Sequence, residues 1–325
     1  MTELNQAEQI LGLTEMEILR RCASENLICA PRPGYWTAEI YSFGKYLREY
    51  GYFPQWLPLL VYTDHGPSQA DSPLKHELES DAPVQFYHSS RMVKKWKKIT
   101  KKPCYTIFSP FVFYRKTRKI VQNRDAKGTL AYPSHTTPLI DDEVDYEKYI
   151  EQLMSLPKEF HPISVQLHVH DVNKGQHKLF MKHKIPVYTA GHYADYRFVE
   201  RFYETLKQFK YTTSNVVMSC LFYSVEMGIP HFLYGIEPVF NNKGQEGIPL
   251  GKEFKPLEQW EQMRKVTEMF SGLNTEITDD QRKLVNFELG IEHGASRFQM
   301  AGILFFALAN VFFRKLKNKM QNGFI

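Results

Sequence analysis

The sequence predicts an α/β protein built from two Rossmann-like, doubly wound domains that face a cleft, with helices following at the C-terminal end. Three observations predict it. At 325 residues the chain is about twice a typical single domain. One unit recurs along it, a short apolar run, a polar turn and then a helical pattern, which is how βα units read. The rhythm breaks at a polar, charged stretch over 115–128 and then restarts, which marks a domain boundary. These give domains over 1–122 and 123–265, with helices over 266–325 packing back on them. A composition of 43% apolar and 24% charged residues argues against long disorder.

In the first domain the apolar runs predict strands over 27–30, 57–62, 84–88 and 104–108. A helix over 37–50 stops at Gly51, and a basic helix separates the last two strands. In the second domain strands are predicted over 129–132, 164–170, 186–190 and 231–235. Helices are predicted over 146–156, 178–183, 195–209 and 216–227, the last ending at Gly228-Ile229-Pro230. The remainder reads as a loop and about three helices. Sheets of this type bind ligands beyond the carboxyl ends of their strands, so the chemistry is sought there.

Asp64 follows an apolar run, where a carboxylate would face the cleft as a general base. Asp-His-Gly-Pro is also ordinary turn chemistry, so an Asx-turn competes. His168 and His170, followed by Asp171, end a predicted strand; residues two apart share a strand face, so both rings would point one way, as phosphate donors or metal ligands. Thr212, Thr213, Ser214 and Asn215 precede a helix beginning near Val216, which suits an anion site or an N-cap. His135 holds the equivalent position after the first strand of the second domain, and Gly191 follows the 186–190 strand. Ile140-Asp141-Asp142-Glu143 reads as acids favouring a helix start rather than as a metal motif. There is no GxGxxG, GxxxxGK[ST] or GxSxG, which disfavours dinucleotide, P-loop and serine-hydrolase chemistry.

An Asp turn, then a His-ended strand, then a Ser/Thr turn about 45 residues later: this order resembles the GT-B glycosyltransferases. More narrowly it is similar to bacterial sialyltransferases and related Kdo transferases, which use CMP-sugars. Thr63-Asp64-His65-Gly66 would stand for their Asp-Asp/Glu-Gly motif, His168 or His170 for His-Pro, and Thr213-Ser214 for Ser-Ser/Thr. His65 replaces the second acid, and neither histidine precedes Pro. The stretch 214–235 also looks like the nucleotide-sugar half of surface-polysaccharide transferases. The resemblance implies an inverting enzyme of capsule or lipopolysaccharide synthesis that needs no metal and no cofactor. Asp64 would take the acceptor proton and His168 or His170 would assist the phosphate, while His135, Thr213, Ser214, Asn215 and Gly191 would bind the nucleotide sugar. UDP- or GDP-sugar transfer, a CDP-alcohol phosphotransferase of teichoic-acid type, and a non-catalytic glycan-binding module remain alternatives.

A net charge of +5 is too small to imply nucleic acid, and no recognition motif does. The charge is concentrated, however: eleven of the 41 basic residues fall between Arg91 and Lys119, and Arg314, Lys315 and Lys317 follow an apolar tail. The Arg91–Lys102 segment with its Trp, together with the tail, suits an anionic membrane surface, against the reading of a solvated helix and a packed C-terminal helix. The longest apolar stretch, 301–313 with Asn310 within it, is too short to span a bilayer, which needs roughly 20 residues. The four cysteines lack metal or disulfide spacing, and the first residues are acidic rather than signal-like. A cytoplasmic protein is expected, with a peripheral place on the inner membrane face open to it and a glycan or lipid-linked glycan as acceptor.

Overall fold

The computed structural model describes residues 11–28, 35–64, 66–135, 140–244, 253–254 and 260–322. The fold is α/β, with two parallel sheets, flanking helices and C-terminal helices. In the first unit β1 (Tyr62–Thr63), β2 (Gln85–Tyr87) and β3 (Cys104–Thr106) pair in parallel in that order. In the second, β4 (Thr129–Tyr132), β6 (Ile163–Gln166), β7 (Val187–Tyr188), β8 (Tyr211–Ser214) and β9 (His231–Leu233) form a parallel sheet in the order β7-β6-β4-β8-β9. Their near-continuous burial is what a parallel sheet covered on both faces requires. The order reverses beside β4, so the switch point lies between β4 and β6 on one side and β8 on the other.

The helices are α1 (Glu15–Cys22), α2 (Phe43–Tyr50), α3 (Lys75–Glu79), α4 (Ser90–Ile99), α5 (Pro110–Thr117), α6 (Tyr146–Met154), α7 (Val169–Asn173), α8 (Gln176–Lys182), α9 (Phe198–Leu206) and α10 (Ser219–Met227). α11 (Glu261–Phe270), α12 (Asp279–Glu288) and α13 (Arg297–Asn322) complete them. α1 precedes the first sheet in sequence but packs on the second, with Ile18 and Cys22 in one cluster with Val165, Phe180 and Val187.

Several predicted elements are altered by their surroundings. The strand expected over 27–30 is represented by a single bridge from Asn26 to Asp195, and residues 29 and 30 lie outside the described set. The 57–62 run contributes to the sheet only from Tyr62. The helix over 37–50 is broken: Tyr41 (φ 57°) and Ser42 (φ 59°) are left-handed, and α2 starts only at Phe43. Contacts across to the second unit hold this break. The Tyr41 N–H donates to Tyr193 O (2.6 Å), and the Ser42 hydroxyl donates to Asp195 O (3.1 Å).

Residues Ile140–Glu143 form a strand, β5, rather than a helix approach. It pairs antiparallel with β10 (Val239–Asn242), which pairs with β11 (Glu253–Phe254). Asp145 caps α6 instead, accepting from Lys148 N. The 115–128 stretch is shorter as a connection than expected, because α5 runs to Thr117. Gln122 then fastens it to Phe209 O (2.7 Å), and Arg115 forks onto Glu226 of α10 at 2.6 and 2.7 Å.

Candidate functional site

A cavity of about 150 Å³ opens at the carboxyl ends of β4, β6 and β7 and reaches the first turn of α10. Tyr132 and His135 come from the end of β4, Gln166 and His168 from the end of β6, and Ala190 follows β7. Ser219 and Cys220 open α10, while Tyr41 and Phe111 enter from the first unit. Phe111 is stacked on Tyr223, with centroids 4.5 Å apart and planes at 15°.

His168 is the central titratable group. Its ring stacks on His135 (4.2 Å, 19°), and its Nε2 lies 3.1 Å from the Tyr41 hydroxyl. Nδ1 accepts from the His170 N–H at 3.4 Å, so the neutral ring carries its proton on Nε2, toward Tyr41. Burial raises the Tyr41 hydroxyl well above the ordinary tyrosine range, so it stays protonated.

The pairing of His168 and His170 on one strand face does not occur. β6 ends at Gln166; His168 is the N-cap of α7, and His170 stands in its first turn. The side-chain acceptor at His168 starts the helix early and overrides the alternating pattern. His170 is not among the cavity-lining residues; its ring lies 4.9 Å from that of His168 and 5.8 Å from that of Tyr193. Burial first, then His135, His192 and Lys174, push its pKa below the ordinary histidine value. His192 is lowered too, by burial that outweighs Glu25 and Asp195.

Thr213 and Ser214 turn inward. Thr213 Oγ1 donates to Phe232 O (2.8 Å), and Ser214 Oγ donates to Val216 O (2.7 Å) and lies 3.0 Å from His231 Nε2. Both residues are inside β8 and fully buried, because the helix starts at Ser219 rather than at Val216. The hydroxyl at the open helix end is therefore that of Ser219. Asn215 braces the loop: its Oδ1 accepts from Ser134 N (2.7 Å), and its Nδ2 donates to Ile236 O (3.0 Å), which fixes the approach of His135. Gly191 shapes the backbone. At φ 99° its N–H reaches Thr189 Oγ1 (3.0 Å), and a Cβ there would meet Arg201 Nη1 at 2.6 Å.

Asp64 is not among the cavity-lining residues. It sits at the end of β1, where burial pushes its pKa up; burial and the neighbouring Asp64 push Glu77 up likewise. Its turn nevertheless touches the site, since a Cβ on Gly66 would collide with the Ser219 hydroxyl. His65 and the residues 136–139 lie outside the described set. Among the described residues, no group of three or more His, Cys, Asp or Glu is arranged to hold a metal.

Two polar atoms of the cavity wall matter most. Tyr132 is 5% exposed and Gln166 8% exposed, and neither the Tyr132 hydroxyl nor Gln166 Oε1 has a hydrogen-bond partner among the described residues. Both residues line the cavity, and the two atoms are buried in its wall. Native interiors satisfy most such atoms, so an orphaned donor and acceptor in one cavity wall mark it as a candidate polar site. Sequence reasoning passed over both. A Gln between Val165 and Leu167 at the end of β6 was the available signal, whereas nothing in the pattern around Tyr41 or Phe111 set them apart.

No protein-family model matches this chain, and none of the curated proteins matches it. Among solved structures, one of the wall teichoic acid polymerase TagF, described as soaked with CDPG, is similar over 71% of this chain at 9% identity and a TM-score of 0.32. The alignment spans 57% of that protein's length. At that level the likeness assigns neither family nor substrate, and the functional reading rests on the cavity itself.

Proposed function

We propose that this chain is a GT-B-type transferase that draws a nucleotide-activated donor into the β4/β6 cavity and passes a group to a glycan or lipid-linked acceptor. One observation carries the reading: the stacked His135–His168 pair, the first turn of α10, Tyr132 and Gln166 line one cavity at the strand ends, and the last two hold polar atoms without a partner among the described residues. The first turn of α10 and the Ser219 hydroxyl suit a phosphate there, and His168 can give a proton to a departing phosphate. In a glycosyl transfer from a CMP-sugar, or from a UDP- or GDP-sugar, Asp64 would remove the acceptor proton. Its raised pKa suits a base working near neutral pH.

The lining favours a second reading equally. Its titratable side chains are histidines, tyrosines and a cysteine, with no carboxylate among the described lining residues. In a CDP-alcohol phosphotransferase the acceptor oxygen would bond to the alcohol-bearing phosphorus. The bond from that phosphorus to the CMP oxygen would break, and the acceptor proton would pass to His168 or His135.

The test is thermal stabilisation by CMP, CDP, UDP and GDP in intact and Ser219→Ala protein, followed by product analysis with the preferred donor. Stabilisation by one nucleotide, weakened by the substitution, is expected. CMP release with a glycosidic bond or with a phosphodiester separates the two chemistries. No response to any nucleotide would sink both and leave a non-catalytic module.

A further inference from the structure

We propose that the outward face of α13 is an interfacial membrane anchor that lies in the headgroup region of an anionic lipid surface. The helix is apolar on two opposite sides. Met300, Leu304, Ala307 and Val311 recur at helical spacing and are buried in the protein's own core. About half a turn away run Phe298, Phe305, Phe312, Phe313, Leu316 and Met320, all exposed; Phe298, Phe312 and Phe313 are 81%, 63% and 64% exposed. A helix apolar on both sides needs a second apolar environment, and the described residues supply only one.

Charge identifies the occupant. At 3.6 residues per turn Lys317 and Lys319 flank this stripe on its two sides, with Lys315 beyond, and all three are exposed. Arg314 donates to Asp81 O (3.1 Å), and Lys102, just past α4, donates to the adjacent Ser80 O. The basic end of α13 and the exposed Lys94, Lys97, Lys98 and Lys101 of the α4 region therefore belong to neighbouring surface. Aromatics framed by lysines match anionic headgroups over acyl chains. Trp96 takes no part, contrary to the expectation for the basic helix: it is fully buried and donates through Nε1 to Lys102 O.

The helix from Arg297 to Gln321 is long and apolar enough to cross a membrane by length and composition, although the apolar stretch 301–313 is shorter than a span. Packing decides against a span. Its contacts with the core continue to Val311, and the eleven described residues beyond extend about 16 Å, roughly half the hydrocarbon thickness.

The proposal does not depend on the chemistry of the cavity. Its test is co-sedimentation of the full chain with phosphatidylcholine vesicles and with equal mixtures of phosphatidylcholine and phosphatidylglycerol. Pelleting with the anionic vesicles alone is expected, weakened by salt, and roughly fivefold weaker for each of Lys315→Gln, Lys317→Gln and Lys319→Gln. Phe312→Ser with Phe313→Ser should abolish it while leaving the circular dichroism unchanged, since both rings stand in solvent. Failure of the intact chain to pellet, or equal pelleting with neutral vesicles, overturns the proposal. So does a dimer by light scattering that this double variant disperses, which would give the face to a second copy.

Discussion

Tyr41 and Ser42 occupy left-handed backbone, which costs a non-glycine residue roughly 1 kcal/mol or more. The contacts that maintain it put the Tyr41 hydroxyl 3.1 Å from His168 Nε2, so local strain is spent where the cavity is assembled. Tyr132 makes the converse case, a buried hydroxyl without a partner among the described residues. A group of that kind opposes stability unless a ligand satisfies it. Tyr132→Phe is therefore expected to leave the melting temperature unchanged or raise it, while weakening binding of the preferred nucleotide about tenfold. Calorimetric melting and titration of the same variant check both halves. A variant that melts lower with unaltered affinity would make the hydroxyl structural.

At the scale of elements, β4 was legible residue for residue, because a fully buried strand between polar turns has few other readings. The 164–170 and 216–227 segments were not. In each, the start of a helix depends on what the preceding residues bond to: His168 caps α7, while Ser214 and Asn215 bond elsewhere and defer α10 to Ser219. Of the site, His135 and His168 were legible as polar residues at strand ends. Tyr41, Tyr132, Gln166 and Ser219 were hidden because tertiary contacts alone bring them to one cavity.

The inward turn of β8 has a pH consequence. His231 sits between Thr212 Oγ1 (2.9 Å) and Ser214 Oγ (3.0 Å), and burial pushes its pKa down to about 3. The unfolded chain takes up that proton near the ordinary 6.5, so the stability contributed is fully present above 6.5 and is lost as pH falls toward 3. His231→Gln should flatten the acid limb by about one proton, ~1.4 kcal/mol per pH unit, in denaturant titrations across that window. An unchanged slope would mean that His231 is protonated inside the fold.

At the scale of the whole molecule the two sheets are not independent bodies. One apolar cluster runs from Phe43, Val61 and Phe86 of the first unit through Phe111 to Leu130, Phe202 and Leu221 of the second, and on to Val285, Met300 and Leu304 of the C-terminal helices. Polar links cross the same boundary. Lys45 pairs with Glu200 at 2.6 Å, the Tyr46 hydroxyl donates to Glu200 at 2.8 Å, and Arg115 forks onto Glu226. A boundary read from charge and rhythm alone cannot register a core that passes beneath it. A shared core makes opening one unit expose the apolar surface of the other, so the two should lose structure together. We expect a single calorimetric transition in which the van't Hoff and calorimetric enthalpies agree, and a parallel fall of far-ultraviolet and aromatic signals. Glu200→Ala should lower the midpoint without splitting the transition, because it removes polar links and leaves the cluster intact. Two resolved transitions, or a first unit that melts while the second stays folded, would show that the apolar continuity does not couple them, and would return the 115–128 connection to the role of a boundary between separately stable halves.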